Sequence, residues 1–549
     1  MAPQTTKKNK HLFLLLGILA VSFCFKLTSL GAPSIKGDEG YSFYEASKPI
    51  PEMIDSIKGD PHPPGYYLFL HFWQLLGKSE FWLRLSSVLF HAGAVVMAYL
   101  LGKLLFSPRT GILAAGILAV SEAHLRYSQL LRMYSLIVLI SLVAVYFFFK
   151  FLKRQSLLNA ALFVLFSAAG LYTHYYFIFL LLALHCYVLL MKVQRKFWKA
   201  WILANLAILL LFLPWLPIFS AQVSIKTTLE QVTYTLDPNA KVSWLSPDTS
   251  NIFVRMLMIF FHLSAGYLKV NLHSPVFLAC FLASIVLFPF LLCKALLCKA
   301  FTSHRNPGSW RFSFLRKRDT RLALLALLLL VPSTALLLLW GFSILTPQTY
   351  ARHLLLISPF YYLILAAGID RLKKPLLYAA LTLIILLNLV SAYNYFQEDY
   401  SRENWREAVT FIQPKSGNEA IILAAESYIH DFNYYYTGHA PVYGAFTGWN
   451  ETAYEHFDQL GMFKALRPIT PQNACTFLNL TAGYDAVWLV QLGSSADEPT
   501  LSLQRTCVAH ELSLKSQLRN YWRDMYGNTD YDLQVYEYRK AKESEGGFP

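Results

Sequence analysis

Apolar blocks long enough to cross a bilayer recur along this chain, and they constrain its fold more than any motif does. A membrane-spanning helix needs about 20 mainly apolar residues, and runs of that kind recur between residues 11 and 394. Of the 549 residues, 55% are hydrophobic and only 15% charged, against roughly 25% charged in a soluble domain. Mean hydropathy is +0.38. The chain therefore reads as an integral membrane protein with many transmembrane helices, not as a soluble globular enzyme.

The formal charge of +15 fits the same reading. Nucleic-acid binding is one source of such an excess, but no RNP or zinc-finger motif is present, and the Lys and Arg residues cluster between apolar blocks. Cytoplasmic loops collect these residues. Lys7, Lys8 and Lys10 precede an apolar run from His11 to Leu30. That run is long for a signal peptide and no small-x-small cleavage site follows, so it reads as a retained first span with its N-terminus inside. Further spans are expected at 80–101, 110–122, 131–150, 157–172, 175–192 and 200–219. Lys103/Arg109, Lys150/Lys153/Arg154 and Lys192/Arg195/Lys196/Lys199 fall on every second link, which places those links inside and 123–130 and 172–174 outside. The stretch 251–270 is apolar enough to span. Counted as a span, it would export the basic run Lys294, Lys299, Arg305, Arg311, Arg316, Lys317 and Arg318, so it is read as an interfacial helix on the outer face. Spans at 275–293, 322–343, 353–369 and 375–394 complete a set of eleven, with the C-terminus outside.

The expected fold class is an all-α polytopic membrane protein with a small C-terminal exported α/β domain. The transmembrane domain covers 1–395 and carries a large exported loop at 31–79; the exported soluble domain covers 396–549. Glu419–Ala425 and Ala486–Gln491 have the composition of buried strands, among helical patterns. Cys475 and Cys507 both fall in the tail, and no Cys/His spacing suggests structural zinc.

Polar residues gather in the segments placed outside. Gly37-Asp38-Glu39-Gly40 follows the first span directly. A carboxylate at the membrane surface in a partly desolvated cleft is suited to act as a base; equally, Asp38 suits the N-cap of a short helix over 40–48. Asp60-Pro61-His62-Pro63-Pro64-Gly65 turns the chain into an aromatic amphipathic stretch, where His62 could flank a lipid head group or simply sit in a turn. Glu122, His124, Arg126, Tyr127, Gln129 and Arg132 crowd one short outer link. Arginine there suits an anion, by its bidentate fork, or Arg126 pairs with Glu122 four residues away. Arg84 lies just inside the second span, where a charge is either functional or snorkels to the interface. His174, within Tyr172–Tyr176, suits ligand contact and structural hydrogen bonding equally. Arg352 and His353 open the tenth span on the outer side, as phosphate ligands or as helix anchors. Together these residues describe a machine that binds an anionic lipid at the outer leaflet and performs acid/base chemistry on its head group.

These motifs resemble the bacterial type C glycosyltransferases related to protein O-mannosyltransferases and to the aminoarabinose transferases of lipid A. GDEGYSFYEA (37–46), DPHPPGYYLFLHFWQLLGKSEFWLRLSSVLF (60–90), YSQLLRMYSL (127–136), YTHYY (172–176), YARHLLLISPFYYLILAAG (350–368) and ENWREAVTFI (403–412) carry the resemblance, which covers about residues 10–412 and leaves the tail aside. HPP with SQLLRMY is quite specific; DE alone is weak. The resemblance implies a polyprenyl-phosphate sugar donor, an acceptor that is a glycan, a lipid or a protein, and no nucleic acid. It makes Asp38 the catalytic base, supported by Glu39. His62, Arg84, Arg126, Tyr127, Arg132, His174, Arg352 and His353 are the substrate-binding candidates, by outer placement. His353 stands where the family has tyrosine. The implied reaction is an inverting displacement at the anomeric carbon, at the outer face of a bacterial plasma membrane, with basic residues stabilising the departing phosphate. It needs no nucleotide, and no phosphate-binding glycine loop is present. Asp38, Glu39 and His62 are of types that ligate a divalent metal, but their spacing makes no strong case for one. A transporter or flippase for a lipid-linked glycan would have the same spans, yet inverted repeats and midplane charges are not seen. A glycan ligase would share the architecture.

Overall fold

The computed structural model describes residues 3–190, 193, 195–222, 261–266, 290–291, 352, 355–398, 404–412, 418–423, 428–444, 483–493, 498–509, 513–520 and 532–539. Its helices are α1 (Pro3–Leu27), α2 (Asp38–Ser47), α3 (Ile50–Ser56), α4 (Gly65–Trp73), α5 (Glu80–Leu105), α6 (Pro108–Val120), α7 (Glu122–Ser128) and α8 (Tyr134–Arg154). There follow α9 (Leu157–Thr173), α10 (Phe177–Leu190), α11 (Arg195–Phe212), α12 (Ser358–Ile369), α13 (Lys374–Glu398), α14 (Trp405–Phe411), α15 (Ile429–Tyr435) and α16 (Glu498–Ala509). The strands are β1 (Glu419–Leu423), β2 (Val442–Gly444), β3 (Ala486–Gly493), β4 (Ser513–Asn520) and β5 (Asp532–Arg539). Chain contacts divide these elements into two compact units. The first comprises Met1–Leu30, Asp60–Gly77 and Trp82–Tyr395; the second comprises Gly31–Gly59, Lys78–Phe81 and Phe396–Pro549. The segment 31–59 thus packs with the tail.

The first unit is helical. Among the described residues, Lys10–Leu27, Glu80–Leu105, Tyr134–Arg154, Phe197–Gln222 and Lys374–Gln397 are long and apolar enough to cross a membrane, and Pro108–Val120, Leu157–Thr173, Phe177–Leu190 and Leu355–Ile369 are shorter apolar helices. These nine helices overlie nine of the expected spans. The expected spans at 275–293 and 322–343, most of 251–270 and the basic run 294–321 lie outside the described residues. Side-chain caps set helix starts. Ser107 Oγ accepts the Thr110 N–H (3.0 Å) ahead of Pro108 at the first turn of α6, and Ser156 Oγ accepts the Asn159 N–H (3.3 Å) at α9. Such caps satisfy backbone donors left over at a helix start. Leu12, Phe13, Leu203, Leu210 and Leu386 remain exposed, a surface suited to lipid rather than to water.

The stretch 123–130, expected as a short outer link, is mostly helix. In α7, Glu122, His124, Leu125 and Tyr127 are buried. Ser121 Oγ and Tyr362 hydroxyl are 2.9 Å apart, Glu122 N–H donates to Asn388 Oδ1 (2.9 Å), and His124 Nε2 lies 2.7 Å from Ser358 Oγ. A polar group buried without such a partner is costly, so these polar residues knit α7 into the bundle. Burial, with Lys26 nearby, pushes His124 down to about 3. That shift favours the neutral imidazole.

The second unit holds a five-stranded sheet of order β2-β1-β3-β5-β4. β1 runs parallel to β2 and β3; β5 pairs antiparallel with β3 and β4. Alternate residues of β1 and β3 serve two cores. Ile421, Leu423, Trp488 and Val490 pack with Trp405, Ile429 and Phe432, whereas Ile422, Val487 and Leu489 pack with Val508, Tyr536 and Tyr538. Burial on both faces explains why these strands read as continuous apolar runs. Glu419 accepts from Trp488 Nε1 (3.0 Å) and pairs with Arg539 (2.9 Å), tying β1 to β3 and β5.

Candidate functional site

In the first unit the DPHPPG sequence builds a fixed imidazole. Asp60 is buried, and its Oδ1 accepts the His62 N–H (2.7 Å) and lies 2.7 Å from His62 Nδ1. This is a local turn closed by an aspartate two residues upstream. The Tyr67 hydroxyl donates to the other oxygen, Oδ2 (2.9 Å). Prolines on both sides of His62 restrict its backbone. Gly65 lets the turn approach the end of α9, since a Cβ there would stand 2.5 Å from the Tyr172 carbonyl oxygen. The approach brings His62 and His174 into edge contact, ring centroids 6.2 Å apart.

With Nδ1 committed to Asp60, His62 Nε2 faces Arg132 Nη2 at 3.4 Å. Arg132 is buried and His62 half-buried. His174 Nδ1 accepts the Tyr176 N–H (3.2 Å), which orients that ring. Trp215 Nε1 donates to the Tyr175 hydroxyl (2.8 Å), which donates to Gln222 Oε1, and Gln222 Nε2 reaches the His62 carbonyl (3.5 Å). Arg132 and His174 thus flank the carboxylate-oriented imidazole of His62. An arginine fork beside two imidazoles is a grouping that suits a phosphate.

The other basic candidates separate from it. Arg126 Nε donates to Glu122 Oε1 (3.1 Å), and its guanidinium lies over the Tyr395 ring, 4.6 Å from the centroid; the helix-face pairing read from sequence is present. Arg84 is buried and Nη1 donates to the Leu30 carbonyl (3.2 Å), so it grips the end of the first span instead of snorkelling. Tyr127 is buried with its ring edge-on to Tyr134, centroids 5.1 Å apart. Arg352 is partly buried, and His353 lies outside the described residues.

In the second unit, Asp38 is the first residue of α2, not its cap. Gly37 takes the cap position with φ +54°, in the left-handed region open to glycine, and no side chain caps the helix. This corrects the expected helix over 40–48 and the capping role of Asp38. Asp38 is exposed and Glu39 buried. Asp431 Oδ2 accepts the Gly37 N–H (2.7 Å), and Tyr435 Oη accepts the Ile35 N–H (2.6 Å). Arg406, from the ENWREA motif, donates to the carbonyls of Gly31 (3.0 Å) and Ala32 (3.2 Å) and pairs with Glu80 (2.5 Å). Its N–H donates to Ser34 Oγ (3.1 Å). Among the described residues no group of three or more His, Cys, Asp or Glu is placed to hold a metal ion.

Residues 61–218 match the family model described as dolichyl-phosphate-mannose-protein mannosyltransferase. The crystal structure of ArnT from Cupriavidus metallidurans in the apo state superposes with TM-score 0.54 at 12% identity, over 95% of this chain and 97% of that one. The same protein bound to undecaprenyl phosphate gives TM-score 0.51 at 14% identity and the same coverage. The chain resembles the type C glycosyltransferases. The likeness is one of fold, a mostly helical, multi-pass membrane protein. No curated protein sequence matches the chain.

Sequence reasoning left Asp60, Tyr67, Tyr175 and Gln222 unassigned. The Asp-Pro-His spacing was a usable signal for Asp60, because aspartate two residues ahead of a backbone N–H is a recurrent turn former. Gln222 offered none: it meets His62 from 160 residues away.

Proposed function

We propose that this protein is a membrane glycosyltransferase that moves a sugar from a polyprenyl-phosphate-linked donor to an acceptor hydroxyl at the outer face of the membrane. The observation that carries the reading is the Asp60-oriented His62 beside Arg132 and His174, a guanidinium and two imidazoles grouped where a phosphate could be held. The family match begins at this motif and runs through Arg132 and His174, and the solved relative of the same fold was crystallised with undecaprenyl phosphate. Asp38, exposed at the start of α2, takes the proton of the acceptor hydroxyl, with Glu39 in support. The acceptor oxygen then attacks the anomeric carbon as the bond to the donor phosphate breaks, inverting that centre. His62, Arg132 and His174 stabilise the charge on the departing phosphate.

The reading keeps the eleven-span topology, a plasma-membrane location in a bacterium, and the tail outside. Trp310→Cys and Asn450→Cys in a cysteine-free background test the sidedness: a membrane-impermeant thiol reagent on intact cells labels 450 and not 310. Activity is tested with purified protein and lipid-phosphate sugars. Stoichiometric release of polyprenyl phosphate with a glycosylated product, unsupported by nucleotide sugars, is the expected outcome. Movement of a lipid-linked sugar across the membrane without cleavage of its phosphate bond would replace this reading with a transporter.

A further inference from the structure

Within the second unit, the GDEG motif is held by residues that no part of the motif predicts. Gly37 adopts φ +54° and ψ −120° immediately before Asp38, and its N–H donates to Asp431 Oδ2 at 2.7 Å. One turn on, Gly40 has no room for a side chain: a Cβ there would stand 2.0 Å from Asp431 Oδ1 and 2.9 Å from the Asp431 nitrogen. Asp431 is therefore pressed against the start of α2 from two sides. It is buried and lies in α15, whose other residues meet the 35–44 segment or the sheet's core. His430 lies tilted against Tyr44 (centroids 4.3 Å apart) and meets Tyr41 (5.5 Å), Phe432 sits in the sheet's core, and Tyr435 holds Ile35. A carboxylate is also the favoured partner for backbone donors at a helix's positive end.

We propose that Asp431 is a positioning residue that sets the Gly37 backbone and thereby the direction in which Asp38 leaves the first turn of α2. The proposal rests on the reading of Asp38 as the base. The glycines at 37 and 40 then have distinct reasons. Gly37 supplies the left-handed backbone, and Gly40 supplies the close approach of Asp431. What must be preserved at 431 is an acceptor oxygen of the right reach rather than a proton-transfer group, because Asp431 acts through the Gly37 amide. Misplacing a reacting group by about 1 Å can cost on the order of 100-fold in rate, so a lost acceptor is expected to act on kcat and to spare the donor KM.

The test compares Asp431→Ala, Asp431→Asn and Asp38→Asn in the full-length protein, after confirming that each folds. Two quantities are read: steady-state transfer, and amide hydrogen exchange of the 35–40 segment. Asp431→Ala is expected to raise exchange in 35–40 and lower kcat at least about tenfold with the donor KM unchanged, while Asp431→Asn, which keeps an acceptor oxygen, restores most of both. Unchanged exchange at 35–40 in folded Asp431→Ala overturns the proposal, as does an Asn variant as impaired as the Ala variant. Should Asp431→Ala prove unfolded, Gly40→Ala provides the same displacement from the α2 side, and unaltered exchange and kcat in that variant overturn the proposal equally. Full activity of Asp38→Asn would instead remove the base assignment, while the exchange data would still decide whether Asp431 orders the Gly37 backbone.

Discussion

The two polar centres are built by opposite means. The imidazole of His62 is fixed almost entirely by its own neighbours in sequence: a carboxylate two residues before it, prolines on both sides and a tyrosine five residues after. The Asp38 turn is fixed from the far end of the chain. Its flanking residues are held by Asp431, Tyr435 and Arg406, the last 375 residues from the Gly31 carbonyl it binds. A locally closed turn depends less on distant elements, although Gln222 and Arg132 also reach His62. A turn clamped from a distance depends on the folding of the element that clamps it. The comparison teaches that a histidine motif and a carboxylate motif in one chain can differ in robustness, whatever their chemistry.

The largest expected effect tests the distant centre. Asp38→Asn keeps size and hydrogen bonding but removes the proposed base, and transfer should fall by a factor of about 10² or more, with membrane insertion unaltered and Glu39→Gln less damaging. Near-normal transfer would remove Asp38 from the chemistry. The local centre should respond in binding instead. Arg132→Lys loses the bidentate fork, and Asp60→Asn breaks a charge-assisted contact to His62 worth about 1.5–3 kcal/mol. Each should weaken polyprenyl phosphate binding by about tenfold or more, while exchange at 35–40 stays at the wild-type rate; an effect on that segment would erase the distinction between the centres.

Acidification sharpens the contrast further. Burial, then the Lys48 charge, pushes His430 down to about 3. Its unfolded value is near 6.5, so the folded pKa is depressed. The stability it supports is present above about pH 6.5 and is lost as pH falls toward 3, because the unfolded chain binds a proton that the folded chain refuses. His430→Gln should flatten the decline in melting temperature between pH 6.5 and 4 without changing donor affinity. An unchanged slope would mean that His430 gains its proton without opening the unit. The smallest effect is expected at Arg126. Glu122 and the Tyr395 ring already engage it, and Arg126→Lys should alter polyprenyl phosphate binding less than about threefold, since Lys can keep the ion pair. A loss equal to that of Arg132→Lys would return Arg126 to the phosphate.

Much of the architecture was legible in the residues alone, for a physical reason. A span is a one-dimensional property, since about 20 apolar residues in a row satisfy the bilayer whatever they pack against. The helices at Glu80–Leu105, Tyr134–Arg154 and Lys374–Gln397 fall where hydropathy placed them. β1 and β3 fall on the apolar runs at Glu419 and Ala486 for a similar reason, both faces being buried. The proximity of Arg126 and Glu122 follows from helical spacing. Which arginine faces the imidazole does not. Arg126 and Arg132 are both basic residues of one short segment, and only the packing of α7 against Ser358, Tyr362 and Asn388 turns Arg126 toward Tyr395 while Arg132 reaches His62. In the same way, the sequence alone marked Gly37-Asp38-Glu39-Gly40 as unusual, but only the fold of the second unit brings Asp431 against both glycines, because contacts between residues hundreds of positions apart leave no periodicity to read.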